Sequence, residues 1–300
     1  MRLGTRGSAL ALAQAQLVAE LLGDAEIVTV ETSGDRGSVG DKARFVKELE
    51  EALLAGEVDL AVHSAKDVPA ALPEGLALVG VPDRADARDA LCGVAGALFD
   101  LPDAATVGTA SVRRRSQLLA LRPDLVVSEL RGNVDTRLRR LAGDEFSAIV
   151  LACAGLARLG RAEGSPISVA EMTPAAGQGC IALEARSDDV VAAEAAASIT
   201  DPEALVRLTA ERALVSALDA TCDTPMGALA SLEGQTLSLS AYAGLPDGSR
   251  WVRDRLEGPG SEPAALGASV GERMFAAGAG EILDEAETLA GSHGAGQEDG

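Results

Sequence analysis

Apolar positions recur along the first two-thirds of this chain in two alternating rhythms. A helical spacing runs through Leu10, Ala13, Leu17 and Leu21, behind a Ser8 able to cap it. Residues 26–32 (EIVTVET) read as a strand, 45–56 (FVKELEEALLAG) as an amphipathic helix closed by Gly56, and 59–65 (DLAVHSA) as a strand running into the loop KDVPAALP. LALVGVP (76–82) is a further strand. The rhythm then repeats, with a strand at 106–111 (TVGTAS), a helix through RRRSQLLALR stopped by Pro123 and a strand at 125–131 (LVVSELR). A helix at 134–143 (VDTRLRRLAG) and a strand at 148–156 (AIVLACAGL) complete it. Such alternation predicts parallel or mixed sheets flanked by helices. Two blocks of it, without close sequence repetition, predict two α/β domains facing each other across a cleft.

The last third is patterned differently. GCIALEAR (179–186) returns to strand, and helices are expected near 189–199 and 202–218. QTLSLSAYAGLPDGSRWVRDRLEG reads as a hairpin with a Pro-Asp-Gly turn, followed by a helix near 262–277. This predicts a small α+β domain. The tail GSHGAGQEDG reads as disordered.

Composition narrows the class. Hydrophobic residues make up 47% of the 300 and aromatics 2%, so the cores must be built from Ala, Val, Leu and Ile. No apolar run reaches the length of a membrane span, and MRLGTRGSALALAQAQ is too polar for a signal peptide; a soluble cytoplasmic protein is expected. The formal net charge is −20. Only Lys42, Lys47 and Lys66 are lysines, so arginine supplies the rest of the 26 basic residues. Excess carboxylate with scarce lysine fits a halophilic composition, in which salt screens self-repulsion.

Cysteine usage argues against zinc, because no CxxC pair occurs and only His63 and His293 offer imidazoles. Cys92, Cys153 and Cys180 lie in apolar, strand-like runs and read as small core residues. Cys222 lies in LDATCDTPMG, among polar and turn-forming residues, and reads as a loop thiol.

Against the acidic total, residues 113–140 hold eight arginines: Arg113, Arg114, Arg115, Arg122, Arg131, Arg137, Arg139 and Arg140. Arg113 and Arg114 open a helix after one predicted strand, beside Thr109 and Ser111, and Arg131 ends the next. Carboxyl ends of strands and amino ends of helices are where open α/β sheets bind anions. Arg115, Arg122, Arg139 and Arg140 fit a solvated helix face instead. Scarce aromatics and negative charge oppose a nucleic-acid site, so a pocket for a small polycarboxylate fits best. Ser64, Lys66 and Asp67 follow a strand of the first block. Asp67, otherwise half of a surface ion pair, becomes a candidate catalytic carboxylate if it faces those arginines. Arg6 and Ser8 form a further possible anion site or a plain helix cap, and TPAAGQGC supplies a Gly-rich crossing from which Gln178 could reach a cleft.

Taken in order, GTRGSALALAQAQ, DLAVHSAKDVPAALPEGL, DARDAL, VGTASVRRRSQLLALRPDL, LRGNVDTRLRRL, AIVLACAGLARLG, PAAGQGCIALEAR and TCDTPMG resemble the hydroxymethylbilane synthase (porphobilinogen deaminase) family over nearly the whole chain. The resemblance implies two α/β domains like the halves of periplasmic binding proteins plus a small C-terminal α+β domain. Domain 1 would span 1–82 and 178–199, domain 2 87–173 and domain 3 200–290, with 291–300 a disordered tail. It implies a cytoplasmic, monomeric transferase of porphyrin and haem biosynthesis, acting on porphobilinogen without nucleic acid or membrane partners. Four porphobilinogens would be condensed stepwise, with loss of ammonia, into the linear tetrapyrrole hydroxymethylbilane. A dipyrromethane cofactor would be held by a thioether to Cys222. Asp67 would be the catalytic carboxylate. Arg6, Ser8, Ser64, Lys66, Thr109, Ser111, Arg113, Arg114, Arg131, Arg137, Arg158 and Gln178 would contact cofactor and substrate, with Lys42 on a loop covering the cleft. Two stretches depart from the family pattern: the segment near 33–45 is short, and LDATCDTPMG lacks the usual paired glycines before its cysteine. The rival class is a non-enzymatic carboxylate-binding protein, which would need neither Cys222 nor Asp67.

Overall fold

The computed structural model describes residues 1–30, 44–93, 96–221 and 223–294. The first block holds β1 (Arg2–Arg6), α1 (Ala9–Leu22), β2 (Glu26–Val30), α2 (Arg44–Leu54), β3 (Leu60–Ser64) and β4 (Leu76–Gly80). The second holds β5 (Asp89–Gly93), β6 (Thr106–Gly108), α3 (Val112–Leu121), β7 (Val126–Ser128), α4 (Val134–Ala142), β8 (Ala148–Ala152), α5 (Cys153–Arg158) and β9 (Ser165–Pro166). The chain returns as β10 (Ile181–Arg186) and α6 (Val190–Ser198). It ends in α7 (Pro202–Ala217), β11 (Met226–Glu233), β12 (Thr236–Gly244), β13 (Trp251–Pro259), α8 (Pro263–Ala276) and α9 (Ala279–Gly294).

Two five-stranded sheets share one plan. The first is ordered β2-β1-β3-β10-β4 and the second β7-β6-β8-β5-β9. In each, four strands run in one direction and the fourth in the order is antiparallel to both its neighbours. That antiparallel strand is in each case the one reached by crossing from the other block. Leu3, Leu60, Val62, Ile181 and Leu183 form the first core with Val18 of α1 and Ala196 of α6. Val107, Leu118, Val150 and Met172 belong to the second. The antiparallel meander β11-β12-β13 packs Leu237 and Leu239 against Leu214 of α7 and Val270 and Met274 of α8. The architecture is the α/β pair with an α+β end that the patterning predicts.

The two crossings lie side by side. Ala85 N donates to Gly179 O at 3.1 Å and Ile181 N to Asp83 O at 3.2 Å, around an antiparallel bridge of Arg84 and Cys180. Gly177 and Gly179 take left-handed φ values of 72° and 90°. A Cβ on Gly179 would collide with the carbonyl oxygen of Ala85, so this approach requires glycine. The third unit docks on the return crossing and on the second block. Ala228 N donates to Pro174 O at 2.9 Å. The Ser116 and Tyr242 hydroxyls meet at 2.7 Å, and Arg253, stacked on Tyr242 and Trp251, donates to the carbonyls of Ala170 and Glu171.

Several elements differ from the sequence expectation. The run 148–156 is strand only to Ala152; Cys153 starts α5, because a short apolar run does not distinguish strand from helix. β7 ends at Ser128, so Arg131 stands beyond the strand, on the loop leading to α4. β11 joins the expected hairpin as a third strand. Helix α9 runs to Gly294, into the 291–300 stretch expected to be disordered; 295–300 lie outside the described residues. Among the described residues no helix is long and apolar enough to cross a membrane.

Candidate active site

Asp67 and Lys66 sit on a single 3-10 turn, Ala65–Asp67, at the carboxyl end of β3. Asp67 lines a small cleft of about 80 Å³ with Arg6, Ser8, Gln14, His63 and Ser64. Within it, Ser8 caps α1, its Oγ accepting from Ala11 N at 3.3 Å. Ser64 is hydrogen-bonded to the Gln14 carboxamide at 3.0 Å. His63 Nε2 lies 3.0 Å from Glu184 Oε2, with both side chains buried. Neither Gln14 nor Glu184 stands out in the sequence, because each falls within an apolar helix or strand pattern.

Across from this turn, Thr109 Oγ1 accepts from Ser111 N at 3.1 Å, and Ser111 caps α3, its Oγ accepting from Arg114 N. The helix thereby starts with Arg113 and Arg114 turned inward. They are 4% and 5% exposed, and both meet the fully buried Asp89. Burial alone would raise Asp89; the two guanidiniums outweigh it and hold the carboxylate well below its usual range. Arg115 is exposed, as expected for a solvated face, although its Nη1 donates to Val127 O. Arg122 corrects that expectation: its side chain is 12% exposed and donates to the carbonyls of Leu98, Leu101 and Pro102 and to Asp124. Of the α4 pair, Arg139 is exposed, and Arg140 is half-buried against Glu145.

The remaining candidates divide between the start of α4 and the crossings. Arg137 Nε donates to Gly132 O at 2.7 Å, and Arg131, exposed, pairs with Glu129. Arg158 donates to Asp83 and to Gly179 O, one residue from each crossing. Gln178, 1% exposed, donates through Nε2 to Ala87 O and Asp89. Lys42 and Cys222 lie outside the described residues, as does most of the segment near 33–45.

Charge interactions tie these groups into one field. Burial pushes the Lys66 ammonium down to about 8; Arg114 and Arg113 add to the shift while Asp67 and Asp89 oppose it. Burial likewise pushes Arg137 down to about 10, with Arg114 and Arg131 adding and Asp67 opposing. Lys66, Arg113, Arg114 and Arg137 thus face two carboxylates, Asp67 and Asp89. Lys66 makes no hydrogen bond or ion pair among the described residues. A half-dry site with surplus cation is chemically suited to an anion of several charges.

The described thiols do not compete as nucleophiles. Burial pushes Cys92 and Cys153 up to about 11 and Cys180 up to about 12, so each stays a thiol at neutral pH. No cluster of metal-ligating side chains occurs among the described residues.

Residues 1–194 match the family described as "Porphobilinogen deaminase, dipyromethane cofactor binding domain", and 205–276 its C-terminal domain. The porphobilinogen deaminase of Thermus thermophilus is 47% identical over 93% of this chain and 97% of its own length. That of Roseiflexus castenholzii is 46% identical over 94% and 98%, and that of Geobacter metallireducens 41% over 95% and 94%. Among solved structures, the VFT2 domain of Bordetella pertussis BvgS superposes with a TM-score of 0.40 at 17% identity, over 66% of this chain and 85% of that one. With both family domains matched and relatives above 40% identity along nearly its full length, the chain belongs to the porphobilinogen deaminase family.

Proposed function

We infer that this protein is a hydroxymethylbilane synthase, a transferase of tetrapyrrole biosynthesis that joins porphobilinogen units with loss of ammonia. The observation that carries the reading is the surplus of cation around Asp67. Each porphobilinogen brings an acetate and a propionate, and Lys66, Arg113, Arg114 and Arg137 stand where, among the described residues, two carboxylates, Asp67 and Asp89, oppose them. Such a donor set fits a dipyrromethane, whose two rings bear the same acidic side chains. Bound by a thioether to Cys222, that group would supply the pyrrole carbon to which the first substrate is joined.

The protein's own contribution is charge placement. In each condensation the aminomethyl carbon–nitrogen bond of porphobilinogen breaks and ammonia leaves. A carbon–carbon bond forms to the neighbouring pyrrole, which gives up its ring proton. Departure of ammonia leaves a cationic pyrrole, and the Asp67 carboxylate stabilises it and can receive the proton. Lys66, Arg6, Arg113, Arg114 and Arg137 neutralise the carboxylates of the growing chain; Ser8, Ser64, Thr109 and Ser111 orient them. In this reading Arg131, Arg158 and Gln178 also contact the ligand, as Lys42 does from the segment that follows β2. The working protein is taken as a cytoplasmic monomer without nucleic-acid partners, which light scattering and a nucleic-acid shift assay would check.

Intact-mass measurement tests the reading. The purified protein should exceed its 30.4 kDa chain by one dipyrromethane and give the colour reaction of a pyrrole with an acidic aldehyde reagent. Cys222→Ala should lose both. An unmodified mass in protein that also fails to consume porphobilinogen would leave a carboxylate-binding protein as the better reading.

A further inference from the structure

Asp89 opens β5 directly after the first crossing and is 0% exposed, yet nothing in the reaction outlined above uses it. Its Oδ2 accepts from Arg113 Nη1 at 2.8 Å. Its Oδ1 accepts from Arg114 Nε at 3.0 Å, Arg114 Nη2 at 2.7 Å and Gln178 Nε2 at 2.9 Å. The arginines are pinned a second time by backbone. Arg113 Nη1 also reaches Thr173 O at 2.7 Å, and Arg114 Nη1 reaches Val150 O at 2.8 Å.

What these bonds leave over differs between the two arginines. Arg114 has Nε and both terminal nitrogens engaged by the protein. Arg113 is held through Nη1 alone. Its Nε and Nη2, the fork that matches a carboxylate in two parallel hydrogen bonds, have no partner among the described residues. A guanidinium is planar, so fixing Nη1 at two acceptors fixes the direction of that fork. One carboxylate between two buried guanidiniums also leaves a positive charge for a ligand to complete.

We propose that Asp89 is a positioning residue for carboxylate binding: it grips Arg113 by Nη1 and so presents the Nε–Nη2 edge to an acetate or propionate of substrate or cofactor. The inference rests on the functional reading above. Through Gln178 and Thr173 the same carboxylate ties that edge to the return crossing, so the edge keeps its place relative to β10 and the first lobe.

The test is Asp89→Asn, which keeps the shape and removes the charge, compared with wild type and Asp89→Glu. Three quantities are read: cooperative unfolding, cofactor occupancy by intact mass, and KM against kcat for porphobilinogen. The expected result is a folded protein with less than half the wild-type occupancy. KM rises about tenfold or more in its loaded fraction, the scale of a lost charged hydrogen-bond pair, and kcat falls less. Asp89→Glu recovers part of both. A folded Asp89→Asn with wild-type occupancy and KM overturns the proposal. Should Asp89→Asn not fold, Arg113→Lys asks the same question, keeping the charge and losing the fork; raised KM supports the proposal and unchanged KM and occupancy overturn it. Wild-type protein lacking the adduct overturns the functional reading, and the role of Asp89 with it, whereas loaded wild type beside a normally loaded variant overturns only that role.

Discussion

Arg84 and Glu211 meet at 2.7 Å, Nη1 to Oε1, with side chains 3% and 0% exposed. The same carboxylate accepts from Gly177 N and from Ala230 N, both at 2.7 Å. One acid on α7 therefore joins both crossings and the edge strand β11. Glu211→Gln should destabilise the fold by about 3–5 kcal/mol, because it strands a buried guanidinium without its counter-charge. Urea midpoints check this, and a loss below about 1 kcal/mol would remove Glu211 from that role.

Asp67 stands on a turn rather than in a core, and no described hydrogen bond depends on its side chain. Asp67→Ala should keep the wild-type circular dichroism and melting transition while turnover falls by about 10²–10⁴-fold, the usual worth of a positioned acid–base group. Near-wild-type turnover would refute its assignment.

Lys66 titrates unusually low, at about 8 against 10.5, chiefly through burial. As pH rises through about 8 it loses its charge, so KM for porphobilinogen should climb on the alkaline side. Lys66→Arg, which stays charged, should move that limb to higher pH. Stability runs the other way. Between about 8 and 10.5 the unfolded chain holds the proton that the folded one has lost, so stability attributable to Lys66 grows with pH there. Melting of cofactor-free wild type should therefore approach that of cofactor-free Lys66→Met across this window; a constant gap would contradict the assignment.

With a net charge of −20, self-repulsion opposes compaction at low ionic strength. Raising sodium chloride from millimolar to molar levels should raise the melting temperature. A stability optimum at low salt would count against the halophilic interpretation of the composition.

How much of this was legible in the sequence depends on what each residue needed to know. The strand–helix alternation is local, so the two blocks and most of their elements emerge from periodicity alone. Which face α3 turns inward is not local. Arg113, Arg114 and Gln117 point at Asp89 and Thr173, distant in sequence, and nothing in VRRRSQ marks that side. Asp89 itself leaves a trace, a lone acid at the head of the apolar run DALCG. β11 escapes notice because MGALASLE has no β-branched residue. Gly278, at φ 93°, signals the end of α8, but Gly280, Gly291 and Gly294 disguise the helix that follows.

The exchanged strands bear on how the protein is made. Among the described residues strand β4 has only β10 beside it in its sheet, and the whole second block lies between them in the chain. During synthesis the first lobe therefore waits, with β4 unpaired and one edge of β3 open, until the second lobe has left the ribosome. The second lobe has its own exchanged strand, β5, from the start and can close at once. Folding order and synthesis order are opposed in the first lobe, which makes the nascent chain most prone to edge-to-edge association while the return crossing is still untranslated.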